Sequence, residues 1–281
     1  MSLYAPYLVT PTGWNHFLDT LHGRGQELEG FGIRQSARFS DDNLQHLVSH
    51  NPNLLNLQLA QIGRLSDASL ALIHPLKNLT TLDISRAGFP EGTVLTDDAV
   101  VALIEQVGEN LVELVLDENS LLTDRVLVEA VKVHCPRLRR LSLDGLHLLQ
   151  STGVEDLFTG WVNTGLTHLN LKRCLQVEDD ALDKVVEHSG HSLRVLDLHS
   201  VDELGDDALK RLANGAPRLE WLDLSFVRAA DDSVVKELLD KADGLRLLFV
   251  HGANRVTDRC PHKVSSRAVA GRPRWCAGLD S

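Results

Sequence analysis

Leu193-Arg194-Val195-Leu196-Asp197-Leu198 reads L-x-x-L-x-L, and Gly205-Asp206-Asp207-Ala208-Leu209 follows after a short turn. On an extended strand Leu196 and Leu198 point to one side, while Val195 and Asp197 point to the other. The second stretch opens an amphipathic helix, with Leu209, Leu212 and Ala213 at the i, i+3, i+4 spacing of one helix face. Working outward in both directions, the unit recurs. Its anchor leucines are Leu28, Leu54, Leu79, Leu111, Leu138, Leu166, Leu193, Leu219 and Leu245, with intervals of 26, 25, 32, 27, 28, 27, 26 and 26 residues. Three and five residues after each anchor stand two more apolar residues, from Phe31 and Ile33 to Leu248 and Val250.

One strand and one helix per unit, always in the same order, stack into a parallel sheet lined by helices. A single unit cannot bury its apolar face, and neighbours do so for each other. The expected fold is α/β: a leucine-rich-repeat solenoid (horseshoe) with a parallel concave sheet, convex helices and about nine repeats. Its expected divisions are residues 1–27 as an N-terminal half-repeat or cap, 28–262 as the solenoid and 263–281 as an irregular, basic C-terminal tail with Arg267, Arg272 and Arg274. Trp14, Phe17, Leu18 and Leu21 predict a helix in the cap. Residues 3–9 would have to supply its strand but lack the repeat pattern.

An acidic column accompanies the helices: Asp41, Asp67, Asp97, Asp124, Asp179, Asp206, Asp232 and Asp258. Acids at helix starts satisfy free N–H groups and favour the positive end of the helix dipole, so the column reads as structural. Ser151 holds the same phase in the fifth unit. The 32-residue unit carries an extra loop, Arg86–Thr93, whose tip Phe89 is either tucked onto the solenoid or a contact residue.

The sequence is 43% hydrophobic but 5% aromatic, as suits many small identical layers, and its net charge of -11 opposes binding of bare duplex DNA. The start lacks a signal-peptide pattern, and no apolar run approaches the ~18 residues of a membrane span. Four cysteines without a C-x-x-C pair suit a reduced, intracellular and soluble protein. No phosphate loop, dinucleotide fingerprint or nucleophile elbow is present. His46 and His50 lack the intervening glutamate and third ligand of a zinc site. His188 and His191 read as a helix-end pair, and Cys174 as a small buried turn residue. The reading is therefore of a non-enzyme with no catalytic or metal residues, no cofactor and no small-molecule substrate.

What remains is surface. Outward strand positions run in columns across the sheet. One ends Arg140, His168, Val195, Trp221, Leu247; the next ends Ser142, Asn170, Asp197, Asp223, Phe249. Arg140, Lys172 and Arg173 give a mixed-charge centre. Val195, Trp221, Leu247 and Phe249, with Phe226 nearby, put apolar side chains where solvent is expected. Such a face either binds a protein partner or is covered by the C-terminal tail. The candidate partner-binding set is therefore Trp221, Phe249, Val195, Leu247, Phe226, Asp197, Asp223, Arg140, Lys172 and Arg173.

Four stretches go beyond generic repeat grammar: Asp67–Leu70 with Pro75–Asp83; Val107–Leu111 through Leu122–Asp124; Gly153–Trp161; and Gly252–Pro261. Together they resemble the repeat domain of the fungal Rad-seven-type DNA-repair proteins over residues 3–263. That family is the leucine-rich-repeat subunit of the global-genome nucleotide-excision-repair complex. The resemblance implies a nuclear interaction scaffold that partners a Snf-type DNA-translocating ATPase and a cullin/elongin ubiquitin ligase, and meets damaged DNA mainly through the complex. The alternative is a substrate receptor of an F-box-type ubiquitin ligase outside repair. The family's cysteine-rich segment and elongin-binding box are not among these residues, so no zinc site or direct elongin contact is assigned. Val264–Ser281 departs from the family's ending, and the expectation is a transcript read past a splice site. The register itself predicts that Leu196→Ala opens a core cavity costing about 2–5 kcal/mol; an unchanged melting temperature would show that Leu196 is not on the buried face.

Overall fold

The structure, a computed structural model, describes residues 2–4, 9–23, 27–87 and 94–257. Phe89, Asp258 and the tail residues named above lie outside them. The chain divides into two compact units, Met1–Leu138 and Arg139–Ser281.

In the first unit, strands β1 (Ser2–Tyr4), β2 (Gly30–Ser36), β3 (Asn56–Ile62), β4 (Thr81–Asp83) and β5 (Glu113–Val115) pair in chain order, all parallel. Helices α1 (Pro11–Gly23), α2 (Asp41–His50), α3 (Asp67–Ala71) and α4 (Asp97–Val107) alternate with them. A π-helical stretch, Val126–Val131, then runs into α5 (Lys132–His134). The second unit repeats the plan with β6 (Arg140–Ser142), β7 (His168–Asn170), β8 (Val195–Asp197), β9 (Trp221–Asp223) and β10 (Leu247–Phe249). Its helices are α6 (Ser151–Phe158), α7 (Asp179–Ser189), α8 (Asp206–Gly215) and α9 (Asp232–Lys241). This is the leucine-rich-repeat architecture.

The pairing register is the repeat period. Phe31 pairs with Leu57, Leu57 with Leu82 and Leu82 with Leu114. In the second unit Leu141, Leu169, Leu196, Leu222 and Leu248 pair in succession. The anchors Leu54 to Leu219 are sealed from solvent, and so are the helix residues Leu44, Leu103, Leu127, Leu182, Leu209 and Leu238 facing them. Within residues 1–27 the structure has a strand and a helix. Trp14 and Leu18 of α1 are buried, and the Trp14 ring meets Phe39 edge-on at 5.4 Å. The strand is Ser2–Tyr4, which needs no repeat pattern because backbone pairing to Gly32–Arg34 holds it.

Within each unit two devices tie neighbouring repeats together. The first lies in the turn after the strand. Seven residues past each of the nine anchors the backbone is left-handed: Gln35, Gln61, Arg86, Glu118, Gly145, Arg173, Ser200, Phe226 and Gly252 have φ between 50° and 71°. Only two are glycine, and a side chain in this conformation costs roughly 1–2 kcal/mol. The turn aims the N–H at the following repeat. Arg86 N donates to Asp117 O (2.7 Å), Arg173 N to His199 O (2.9 Å), Ser200 N to Ser225 O (2.9 Å) and Phe226 N to His251 O (2.7 Å).

The second device is the acidic column. Asp67, Asp97 and Asp232 open their helices, but their carboxylates do not cap those helices. Each grips the threonine one repeat on. Asp67 accepts from Thr96 N and Oγ1 at 2.9 and 2.8 Å. Asp97 accepts from Thr123 N and Oγ1 at 2.9 and 2.6 Å. Asp232 accepts from Thr257 N and Oγ1 at 2.7 and 2.5 Å. Asp179 takes Gly205 N at 2.6 Å, and Ser151 Oγ takes Glu178 N at 3.2 Å. Thr96 in turn accepts from Ala99 N of its own helix, so one carboxylate orients the next helix's cap. At Asp41, Asp67, Asp97, Asp179 and Asp232 the column is structural with its partner in the adjacent repeat, whereas Asp206 pairs with Lys210 of its own helix.

The left-handed turn gives a direct test. Ser200→Gly removes the steric cost while leaving the backbone bond to Ser225, and should raise unfolding free energy by about 1 kcal/mol. Ser200→Val should lower it by a similar amount. Urea unfolding of the pair checks this; the opposite order would mean that the left-handed turn does not persist in solution.

Candidate functional site

All ten candidate contact residues lie in the second unit, on or just beyond the strand ends. Register places Arg140, His168, Val195, Trp221 and Leu247 in one row, and Ser142, Asn170, Asp197, Asp223 and Phe249 in the next. Beyond the strands come Asp144, Lys172, His199, Ser225 and His251.

The structure corrects the expectation that these rows stand open. Trp221 is 4% exposed and Val195 is buried beside it. Strands about 4.8 Å apart bring in-register side chains flank to flank, so a large ring shields its neighbours and is shielded by them. Trp221 also meets the Phe249 ring at 5.3 Å and 48°. Leu247 and Phe249 stay half-buried. Phe226 is the open one, 45% exposed. It sits in a left-handed turn, with the His199 and His251 rings edge-on at 5.2 and 5.3 Å. Gly252 makes this possible: a Cβ there would lie 2.5 Å from Phe226 Cδ1.

The polar residues of the second row are buried too, at 3% exposure for Asp197 and 7% for Asp223. A repeated local bond explains why polar residues occupy it. Asn170 Oδ1 accepts from Lys172 N (2.9 Å), Asp197 Oδ1 from His199 N (3.0 Å) and Asp223 Oδ1 from Ser225 N (2.8 Å). Each side chain thus locks the turn that follows its strand. Burial pushes the Asp197 carboxyl up to about 7, and the Asp223 charge pushes the same way; the His199 N–H and Lys172 oppose it only in part. Arg173 and Lys172 are committed to Asp144, Arg173 Nε at 2.7 Å and Lys172 Nζ at 3.6 Å. Arg140 is half-buried beside His168, whose imidazole is held down to about 4 by burial, with Arg140 and Arg194 adding to the effect.

His199, His251 and Asp144 complete this neighbourhood but were not among the candidates read from sequence. Their signal was their phase in the repeat, two residues after the outward positions Asp197, Phe249 and Ser142. Elsewhere the chemistry-bearing residues have packing roles. His188 stacks on Trp161 at 5.4 Å, and Cys174 Sγ donates to Leu143 O at 3.1 Å. Asn119, at the same phase as Cys174, donates to Ile84 O and Leu116 O at 3.1 and 2.8 Å. His50 Nδ1 lies 2.9 Å from His46 O. Among the described residues no group of three or more His, Cys, Asp or Glu is placed to hold a metal ion, and no helix is long and apolar enough to cross a membrane.

No protein-family model matches the chain. It is 32% identical over 258 residues to the DNA repair protein rhp7 of Schizosaccharomyces pombe, covering 91% of this chain and 45% of that protein. It is 30% identical over 264 residues to the DNA repair protein RAD7 of Saccharomyces cerevisiae, covering 92% and 46%. The chain thus spans somewhat less than half the length of these relatives. Yeast Rad7, in its crystal structure with Elc1, superposes with a TM-score of 0.81 at 30% identity, covering 92% of this chain and 65% of that one. The leucine-rich-repeat protein LegL7 of Legionella pneumophila gives 0.55 at 13% identity, covering 88% and 89%, a likeness of fold alone. The resemblance read from the four sequence stretches is borne out: the chain is homologous to the Rad7/Rhp7 DNA repair proteins.

The buried Asp197 carboxyl makes stability depend on pH. Asp197 holds its proton more tightly folded than unfolded, so its contribution falls as pH rises from 3.8 to about 7, and the penalty is complete above that. Asp197→Asn keeps the oxygen that accepts from His199 N, as Asn170 does for Lys172 in the same row. The variant should gain about 1–3 kcal/mol at pH 8 and much less at pH 5. Urea unfolding at both values checks this; an equal effect at the two would show that the carboxylate is not desolvated.

Proposed function

We propose that this chain, a homologue of the Rad7/Rhp7 DNA repair proteins, is the repeat portion of a nuclear, non-catalytic scaffold for nucleotide excision repair. The observation that carries the reading is 30–32% identity to two DNA repair proteins over nine-tenths of the chain. Its partners on this reading are a Snf-type DNA-translocating ATPase and a cullin/elongin ubiquitin ligase. Association of Rad7 with Elc1 in a crystal supports the second of these. Damaged DNA is met mainly through the complex, in keeping with a net charge of -11, since duplex binding rests on displacing counterions with basic residues.

The sheet face of the second unit is the contact surface we propose. Trp221, Val195, Asp197 and Asp223 shape it from beneath. Phe226, Phe249, Leu247, Lys172, Arg173 and Arg140 supply the accessible atoms. An exposed aromatic ring held rigidly by its neighbours is the usual kind of interface anchor. Trp221 is too deeply packed to be a clean probe, because its removal would also cost core stability.

Affinity capture from fungal nuclear extract, with mass-spectrometric identification, tests both levels. The intact chain should recover the ATPase and ligase subunits. Phe226→Ala, with its melting temperature checked, should recover at least about fivefold less of whichever partner uses this face. Recovery of F-box ligase subunits in their place would sink the repair reading. Full recovery by the variant would move the contact elsewhere.

A further inference from the structure

We propose that the face formed by β8–β10 receives a cationic side chain, an arginine or lysine, from a protein partner, seated against Asp197 and Asp223 with its stem across Phe226. The inference rests on the scaffold reading above and adds the chemistry of what is held.

Asp197 and Asp223 stand in register on adjacent strands, about 4.8 Å apart along the pairing direction. Each spends Oδ1 on a backbone N–H, from His199 and Ser225. Among the described residues Oδ2 of neither has a hydrogen-bond partner, neither carboxylate has an ion pair, and neither Oδ2 is sealed from the surface. The nearby cations Lys172 and Arg173 are engaged by Asp144. Two nearly buried carboxylates side by side, offset at Asp197 only in part by the charge of Lys172, are costly, and a cation placed between them lowers the cost.

The chain shows what such a cation looks like. Asp83, at the same strand position in the first unit, is likewise buried, and its Oδ1 accepts from Ser85 N at 3.0 Å. There Oδ2 is met by Arg34 Nη2 at 3.1 Å, an arginine reaching in from two repeats away. Asp197 and Asp223 present the same unfilled oxygen. Phe226 follows Asp223 by three residues, and its exposed ring is fixed between His199, two residues after Asp197, and His251. Guanidinium groups stack on such rings while bonding to carboxylates. An exposed aromatic on the turn after Asp223, with two incompletely neutralised carboxylates in the adjoining row, suits a basic segment better than a purely apolar one.

The test is calorimetric titration of the full-length chain with a synthetic peptide, acetyl-Gly-Leu-Arg-Leu-Arg-Gly-amide, and with the same peptide carrying neutral, isosteric citrulline for arginine. The native chain should bind the arginine peptide at least about tenfold more tightly. Asp197→Asn with Asp223→Asn should bind both peptides alike, at the weaker level, without a fall in melting temperature, because Asn170 shows that an amide serves the turn. No discrimination by the native chain, or discrimination surviving in the double variant, overturns the proposal. So does arginine-peptide binding seen only after Arg267, Arg272 and Arg274 are changed to glutamine, which would assign the site to the chain's own C-terminal segment. The two readings fail separately. Repair subunits captured normally by the double variant would leave the scaffold standing and remove the cation site. Peptide discrimination with no repair subunit captured would do the reverse.

Discussion

A three-residue strand bearing a pair of leucines cannot bury them alone. From β4 onward every strand among the described residues has that length. Isolated strands of this size are not stable in water, and here each becomes stable only when the next repeat sets its own leucine alongside in register. Everything else serves that alignment. The left-handed turn sends an N–H to the next repeat at the end of the strand, and the aspartate clamp grips the next repeat at the start of the helix. Between them the paired leucines, Leu169 on Leu196 on Leu222, fill the layer. Within each unit neighbouring repeats are thus fastened at three heights, so the alignment of one strand is fixed by contacts well away from it.

The parts of this legible in the sequence were those with a chemical period. Leucine at fixed spacing gave the strands and their buried side, and i, i+3, i+4 triplets gave helices whose residues are indeed buried. The left-handed column was not legible, because glycine marks it only at Gly145 and Gly252. At Gln61, Arg86, Ser200 and Phe226 the strain is offset by a bond to a repeat that local sequence does not show. The acidic column was visible as a pattern, but its partner was not. Asp97 looks like the acid of its own first helical turn, and its grip on Thr123 depends on how the following layer is placed.

The candidate face was half legible for a related reason. Alternation along a strand says which residues leave the leucine core. It does not say how much room they find once neighbouring strands stand beside them. Trp221, read as outward, does point away from the leucines, yet it is buried by the residues to either side. Asp197 and Asp223 were read as surface charges, and each is a turn-locking acceptor with little exposure. Their pattern becomes readable once Asn170 is seen making the same bond, since an uncharged residue at that position shows that the turn needs only the oxygen.

That point separates structure from function on this face. The repeat needs an acceptor at the row's position, and Asn supplies it at no electrostatic cost. Aspartate in two successive repeats supplies the same acceptor and adds a charge that burial makes expensive. Where the first unit pairs such an aspartate with Arg34, the expense is offset within the chain by an ion pair; Asp197 and Asp223 have no such ion pair among the described residues, and Lys172 offsets Asp197 only in part. The excess is explained if the missing cation comes from outside. The wider charge balance runs the same way: a chain of net charge -11 repels a phosphate backbone at a distance and draws in basic protein segments. On the proposal made above, the charge that disfavours bare duplex DNA would also favour a basic partner, and the two outward aspartates would be where that long-range preference becomes a contact.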